Sequence, residues 1–84
     1  NNEEYVKLGP NPFNSHLYID YTVRNNQNLN IEFFNLVTGS KYKLIKNITK
    51  GSSIDVSAFA AGTYLIKVYT NDYKLLYQSK FLKF

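Results

Sequence analysis

The sequence contains no cysteine and only one histidine, His16. Without cysteine, the chain can form neither disulfide bonds nor a cysteine-based zinc site. A single histidine, with no second histidine or cysteine to join it, does not make a metal site either. We therefore expect no bound metal, and a fold that depends on its hydrophobic core alone.

Long apolar runs and a leader are also missing. No apolar run approaches the roughly 20 residues that a membrane-spanning helix needs, and the first residues lack the pattern of a secretory signal peptide. The chain begins at Asn1 rather than at Met. This start predicts that the sequence is a piece of a longer protein.

Negative charge is scarce: six acidic residues stand against 10 Lys and Arg, for a net charge of +4. The basic residues are scattered singly, which argues against a groove for nucleic acid. The positive excess has two interpretations. It either solvates strand faces and loop tips, or it attracts an anionic partner such as lipopolysaccharide or an acidic protein.

Apolar residues make up 44% of the 84-residue chain, and short alternating stretches of them recur at about ten-residue spacing, with turn signals between. The segments HLYIDYTV and LNIEFF place one set of apolar side chains inward: Leu17, Ile19, Tyr21, Val23, Leu29, Ile31 and Phe33. Gly39 marks a turn, and Asn71-Asp72 marks a two-residue hairpin turn. The pattern predicts an all-β, immunoglobulin-like antiparallel β-sandwich of about seven short strands.

The first residues predict a polar lead-in over residues 1–8, followed by a rigid corner. Pro10 and Pro12 fix their φ angles and have no backbone N–H, so no sheet ladder can run through them. Phe13 is predicted to plug the core. The predicted sandwich domain therefore covers residues 9–84.

The stretch SAFAAG predicts an elbow between two strands. Ser57 can cap a single helical turn, and Gly62 can take the positive φ that ends it. Phe59 is expected to point inward and close one end of the core. No chemistry is needed to explain this elbow.

No combination of side chains points to catalysis, so we expect neither catalytic residues nor a cofactor. The sequence has no G-x-S-x-G motif and no Gly-rich phosphate loop. Asp20 and Glu32 could approach each other across neighbouring strands, as the paired acids of glycoside hydrolases do. Both, however, are predicted to lie on solvent faces.

The tyrosines leave a binding function open. Their rings could form a platform that stacks on sugars, whereas the simpler interpretation is cross-strand aromatic pairing. The tyrosines concerned are Tyr18, Tyr42, Tyr69, Tyr73 and Tyr77.

The order of the motifs resembles the C-terminal sorting domain of type IX secretion substrates in Bacteroidetes. GPNPF is followed by LYIDY, IEFFNLVTGSK, IDVSAFAAGTYLIKVY and a final KFLKF. The chain departs from the family in having Phe59 where Leu is frequent and in ending at Phe84 without a polar tail. The positions that match the family are Pro10, Asn11, Pro12, Leu17 to Tyr21, Gly39, Lys41, Asp55, Ser57, Gly62, Tyr64 and Lys80.

The resemblance implies a transport address for a cargo domain that precedes it in the chain. The cargo would pass through the periplasm and reach the cell surface or the exterior. The partners implied are the outer-membrane translocon, shuttle and sortase-like components of the machinery, with attachment of the cargo to anionic lipopolysaccharide. The alternatives are a carbohydrate-binding accessory module and an inert immunoglobulin-like spacer.

The last strand is the candidate recognition element. It has apolar residues on both faces and carries the run Lys80, Phe81, Leu82 and Lys83. As an edge strand it could bind by strand addition or dock into a groove of a partner. We hypothesise that it forms the recognition surface together with the strand from Gly62 to Tyr69; otherwise it is only the last strand of the core.

Overall fold

A computed structural model describes residues 4–84, which form seven strands and one short 3-10 helix. The all-β class predicted from the sequence is confirmed, with two antiparallel sheets consistent with a β-sandwich. No helix within residues 4–84 is long and apolar enough to cross a membrane. The strands are β1 (Tyr5–Gly9), β2 (His16–Thr22), β3 (Leu29–Asn35), β4 (Lys41–Ile48), β5 (Ser52–Asp55), β6 (Gly62–Tyr69) and β7 (Leu75–Lys83).

The strands are divided between a three-stranded sheet, in the order β1-β2-β5, and a four-stranded sheet, in the order β4-β3-β6-β7. Every neighbouring pair is antiparallel. β7 therefore lies at one edge of the four-stranded sheet and β4 lies at the other.

The core lies between the inner faces of the two sheets, where successive strand residues alternate between buried and exposed. The sequence predicted seven inward side chains, six in β2 and β3 and one at Val23 just after β2. All seven are buried. β6 adds Tyr64, Ile66 and Val68 to the same layer. The Tyr21 hydroxyl, although buried, donates to the main-chain oxygens of Gln27 and Ile48, both at 3.1 Å.

β1 was missed by the sequence pattern, which assigned residues 1–8 to a lead-in. It pairs with β2 from Tyr5 opposite Thr22 to Gly9 opposite Tyr18. Val6 and Leu8 are half-buried and pack against the core. The ladder stops immediately before Pro10, as the missing proline N–H requires; residues 1–3 lie outside the described part of the chain.

The turns are formed by residues with positive φ. Gly39 has φ +74° and completes the loop between β3 and β4, which confirms the predicted turn. The predicted two-residue turn at Asn71-Asp72 is wrong by one residue, because Tyr73 joins the loop with φ +63°. A type I turn followed by a left-handed residue is a common three-residue hairpin.

The elbow between β5 and β6 contains no helical turn, so the predicted capping role of Ser57 is wrong. The chain instead makes one tight turn, in which the Phe59 N–H donates to the Val56 carbonyl oxygen at 3.0 Å. The Ser57 N–H and hydroxyl both donate to Asp55, at 2.9 and 2.7 Å. The carboxylate orders the turn around Ser57, as Asp side chains do in Asx turns.

Phe59 points inward from this elbow, as predicted, and packs against the core. Its ring centroid lies 4.9 Å from that of Phe33 and 5.0 Å from that of Tyr42. Gly62 begins β6 with φ +149°, a backbone conformation that side-chain-bearing residues rarely adopt.

Gly62→Ala should lower the free energy of unfolding by about 1–3 kcal/mol, because alanine is strained at this φ. Steric overlap is not the cause, since no atom lies within 4 Å of the position a Cβ would take. Thermal melts would measure the change. Gly9→Ala is the matched control, because its Cβ also meets no atom within 4 Å while its φ lies outside the strained region. Equal stability of the two variants would contradict the prediction.

Candidate functional site

The corner after β1 is hydrogen-bonded to the last strand. The Asn11 side chain donates from Nδ2 to the Lys80 carbonyl oxygen at 3.0 Å and accepts at Oδ1 from the Leu82 N–H at 3.1 Å. The Phe13 N–H donates to the Leu82 carbonyl at 2.8 Å, and the Phe84 N–H donates to the Phe13 carbonyl at 3.1 Å. We call these four hydrogen bonds the corner clasp.

Two prolines and a buried ring surround the clasp. The peptide bonds before Pro10 and Pro12 are both cis. Phe13 is fully buried, as predicted for a core plug. Its ring centroid lies 6.2 Å from that of Tyr64 and 6.3 Å from that of Phe81. The corner is therefore held to the sandwich by both main-chain pairing and aromatic packing.

The clasp occupies the outer edge of β7 from Lys80 to Phe84. Along this edge, the N–H of Leu82 and Phe84 and the carbonyls of Lys80 and Leu82 all have partners in the corner. An incoming strand would have to displace the corner in order to pair there. Recognition of this part of β7 by strand addition is therefore disfavoured in the folded domain.

Strand alternation divides the candidate recognition residues of β7 into two pairs. Phe81 and Lys83 point into the sandwich and are 2% and 6% exposed. Lys80 and Leu82 point outward and are exposed. The Lys83 ammonium donates to the Phe84 main-chain oxygen at 2.8 Å. Only Lys80 and Leu82 are therefore accessible to a partner.

The elbow motif holds its parts together locally. The hydrogen bonds from Ser57 lower the pKa of Asp55 below its usual value. The Tyr64 hydroxyl donates to the Ala60 carbonyl at 2.6 Å, and burial raises the pKa of Tyr64. Gly62 lies between these contacts at the start of β6. Asp55, Ser57 and Tyr64 thus position the elbow against the end of the core.

Lys41 lies on β4 and forms a salt bridge of 3.0 Å with Glu32 on β3. Glu32 also accepts a hydrogen bond of 2.9 Å from the Tyr69 hydroxyl. Burial and this contact with Glu32 raise the pKa of Tyr69. The sequence placed Glu32 on a solvent face, yet it is only 9% exposed, because Tyr69 and Lys41 cover it.

The suggested approach of Asp20 to Glu32 is wrong, because the two residues lie on strands of different sheets. Asp20 instead pairs with Lys50 at 2.9 Å. Within residues 4–84, no group of three His, Asp or Glu side chains is placed to hold a metal ion. His16 stacks on Tyr18, with ring centroids 6.4 Å apart.

The five tyrosines proposed as a sugar platform do not form one surface. Tyr18 lies on β2 in the three-stranded sheet, whereas Tyr42, Tyr69 and Tyr77 lie on strands of the four-stranded sheet. Tyr73 lies in the hairpin loop, 6.0 Å from the Tyr69 ring. Tyr77 packs against the core.

Leu17 to Tyr21 lie in β2, and the structure gathers the other family-like positions into three places. Asn11, between Pro10 and Pro12, is hydrogen-bonded to Lys80 and Leu82 at the corner clasp. The elbow residues form a second group, and Gly39 with Lys41 lies at the loop between β3 and β4. Sequence reasoning missed the outward residues of β3 and β6, although the same alternation that identifies inward residues also identifies them.

We expect Asp55→Ala to destabilise the domain at neutral pH and to have a smaller effect in acid. The hydrogen bonds from Ser57 hold the folded-state pKa of Asp55 below its usual value of 3.8. The ionised carboxylate therefore stabilises the fold above that value, and its contribution is lost as the pH falls through the lowered pKa. Melting temperatures of wild type and variant at about pH 7 and about pH 2.5 would test this; a constant difference would contradict it.

The family model for the secretion system C-terminal sorting domain matches residues 7–82 of the chain. No curated protein and no solved structure matches the chain. Domains of this family are sorting signals for type IX secretion, and they act with that machinery to bring an attached upstream cargo to the cell surface or outside the cell. The match runs from within β1 to within β7 and includes Asn11, Phe13, Lys80 and Leu82 of the corner clasp, and the chain therefore belongs to the family of secretion system C-terminal sorting domains.

Proposed function

We propose that the type IX machinery recognises this domain as a folded unit in which the corner clasp presents β7. The observation that carries the proposal is the pairing of Asn11 and Phe13 with the last residues of β7. This pairing joins the first and the last family-like motif of the chain at one place. The recognised element is then a strand with a closed edge and two outward side chains, Lys80 and Leu82.

The route of the cargo is also a proposal, supported by membership of the family. The cargo domain precedes this one in the same chain and passes through the periplasm. Shuttle and translocon components of the outer membrane then carry it across. A sortase-like component removes the sorting domain, and the cargo is attached to anionic lipopolysaccharide or released.

A role without catalysis is supported by how the described carboxylates are used. Asp20 pairs with Lys50, and Glu32 pairs with Lys41. Asp55 accepts from Ser57, and Asp72 accepts from the Thr70 hydroxyl. These four carboxylates, each held by a neighbouring side chain, have structural roles, and we propose that the domain is a recognition module and not an enzyme.

Asn11→Ala should weaken the clasp and reduce secretion. Loss of two hydrogen bonds at a solvent-accessible edge is expected to lower the free energy of unfolding by about 1–2 kcal/mol. Thermal melts would measure this loss. Secretion is measured with a reporter fused upstream of residues 1–84 in a type IX-competent bacterium, as the ratio of external to cell-associated reporter.

Two controls separate the clasp from general stability. Asn71→Ala removes an amide from an exposed loop that has no part in the clasp, and it should leave secretion unchanged. Gly51→Ala puts a side chain at φ +74° in the turn between β4 and β5 and lowers stability away from the clasp, so it should secrete better than Asn11→Ala at equal stability. Equal secretion of those two variants would show that the clasp has no specific role.

Point substitutions are preferable to removal of residues 80–84. Phe81 is 2% exposed and packs on Phe13, so its removal would damage the core as well as the recognition element. Failure of the unaltered fusion to leave the cell would overturn the proposed function itself. A carbohydrate-binding module or an inert spacer would give that result.

A further inference from the structure

The outer faces of the two sheets differ in chemistry. The outward side chains of the three-stranded sheet are mostly polar, and the charges of Lys7 and the nearby Lys50 balance those of Asp20 and Asp55. Asp20 is paired with Lys50, and Asp55 lies opposite His16 in the register. The members of this outer face are Tyr5, Lys7, His16, Tyr18, Asp20, Thr22, Ser53 and Asp55.

The outer face of the four-stranded sheet is apolar at its centre. The strand register places Phe34 of β3 opposite Leu65 of β6, and Leu65 opposite Lys80 of β7. In the next row of cross-strand neighbours on this face, Thr63 of β6 lies opposite Leu82 of β7. Phe34 and Leu65 are half-buried and Leu82 is 41% exposed. Leu65 thus lies between Phe34 on one neighbouring strand and Leu82, one row away, on the other. Within residues 4–84, the outer side of these three side chains is only half-buried or exposed.

Lysines border this apolar centre. Lys67 lies beside Leu65 on the same face of β6, and its ammonium is 5.0 Å from the centre of the Phe34 ring. Lys80 lies on the other side of Leu65, on β7. Within residues 4–84, the salt bridges are those of Lys41 with Glu32 and Lys50 with Asp20.

Within residues 4–84, Glu32 carries the one side-chain carboxylate on this face, and its charge is paired with that of Lys41. Glu32 is held by Lys41 at 3.0 Å and by the Tyr69 hydroxyl at 2.9 Å. Glu32 also lies opposite Lys67 in the strand register, but no salt bridge joins the two. Within residues 4–84, Lys67 and Lys80 are thus the lysines beside Phe34, Leu65 and Leu82 that form no salt bridge. We call these five residues the cationic face.

We propose that the cationic face is the surface that docks on the type IX machinery, and that its partner is an apolar protein surface carrying carboxylates. This inference rests on the proposed function. An apolar centre with a charged rim is the usual anatomy of a protein interface. Two free ammonium groups select carboxylates at that rim by charge complementarity. The closed edge of β7 leaves its outer side chains as the accessible part of the strand.

The size of the face indicates a transient complex. Three strands at about 4.8 Å spacing and about four residues at 3.4 Å rise cover an area on the order of 15 Å by 15 Å. Stable interfaces bury about 800 Å² on each partner, and smaller ones belong to transient encounters. A sorting signal has to release its receptor after each passage, so a small interface suits the task.

The test uses the reporter fused to residues 1–84 in a type IX-competent bacterium. Lys67→Glu combined with Lys80→Glu should reduce the secreted-to-retained ratio roughly tenfold, because like charges would face each other across the interface. Lys67→Met with Lys80→Met should reduce it less, since only the attraction is lost. Lys67→Arg with Lys80→Arg should stay within about twofold of wild type, because the charge is kept.

The matched control changes net charge by the same amount elsewhere. Lys7 lies on the outer face of the three-stranded sheet and Lys74 lies in the hairpin loop. Lys7→Glu with Lys74→Glu should secrete within about twofold of wild type, since neither residue is on the cationic face. Thermal melts should show a similar loss of stability in both glutamate pairs, because Lys67→Glu faces Glu32 and Lys7→Glu faces Asp20 in the strand register. A difference in secretion between the two pairs then reports the face and not stability.

Three results would overturn the inference while leaving the proposed function intact. Wild-type secretion by the glutamate variant would show that the face is not used. An equal loss in the Lys7 and Lys74 control would show that only net charge matters. Full secretion by the methionine variant would show that charge attraction is not needed, and that the partner surface does not use carboxylates to bind this face. Light scattering adds one more test. If the wild-type domain is a dimer in solution and the glutamate pair abolishes it, the partner of the cationic face is a second copy of the domain.

Discussion

The corner clasp is the contact on which the rest of the molecule depends. The corner leaves the three-stranded sheet after β1 and pairs with the edge of the four-stranded sheet at β7. The same few residues bury Phe13 between Tyr64 and Phe81. One segment therefore connects the two layers, completes the core and closes an open sheet edge. In a chain without disulfide bonds, such pairing is how distant ends can be held together.

Closing this edge determines what the domain can present to a partner. A free edge strand offers main-chain groups to any other strand and is prone to aggregation. With Lys80 to Phe84 paired, the accessible part of this end of β7 is its outward side chains, which continue into the apolar centre of β6 and β3. The three-stranded sheet, whose outer charges are balanced, offers no such surface. The two outer faces of the domain are therefore chemically distinct.

Alternation in the sequence predicted the inner faces of β2 and β3 correctly, and turn residues located Gly39 and the hairpin before β7. It missed β1, because only Val6 and Leu8 alternate there and the preceding residues are polar. It also predicted a helical turn at Ser57, since a serine can cap a helix. The structure shows the competing interaction, in which Asp55 takes both donors of Ser57. Short side-chain bonds of this kind are not visible in hydrophobic periodicity.

The sequence by itself determined which side chains face inward, where the chain turns and that the domain is all-β, because these depend on periods of two residues and on local backbone preference. Only the tertiary structure decided which strands are neighbours, and therefore that Asn11 meets Lys80, 69 positions away. It likewise decided that Glu32 is covered by Tyr69 and that Lys67 lies over Phe34. Such contacts depend on sheet order and register, which arise from the packing of the whole chain rather than from any local pattern.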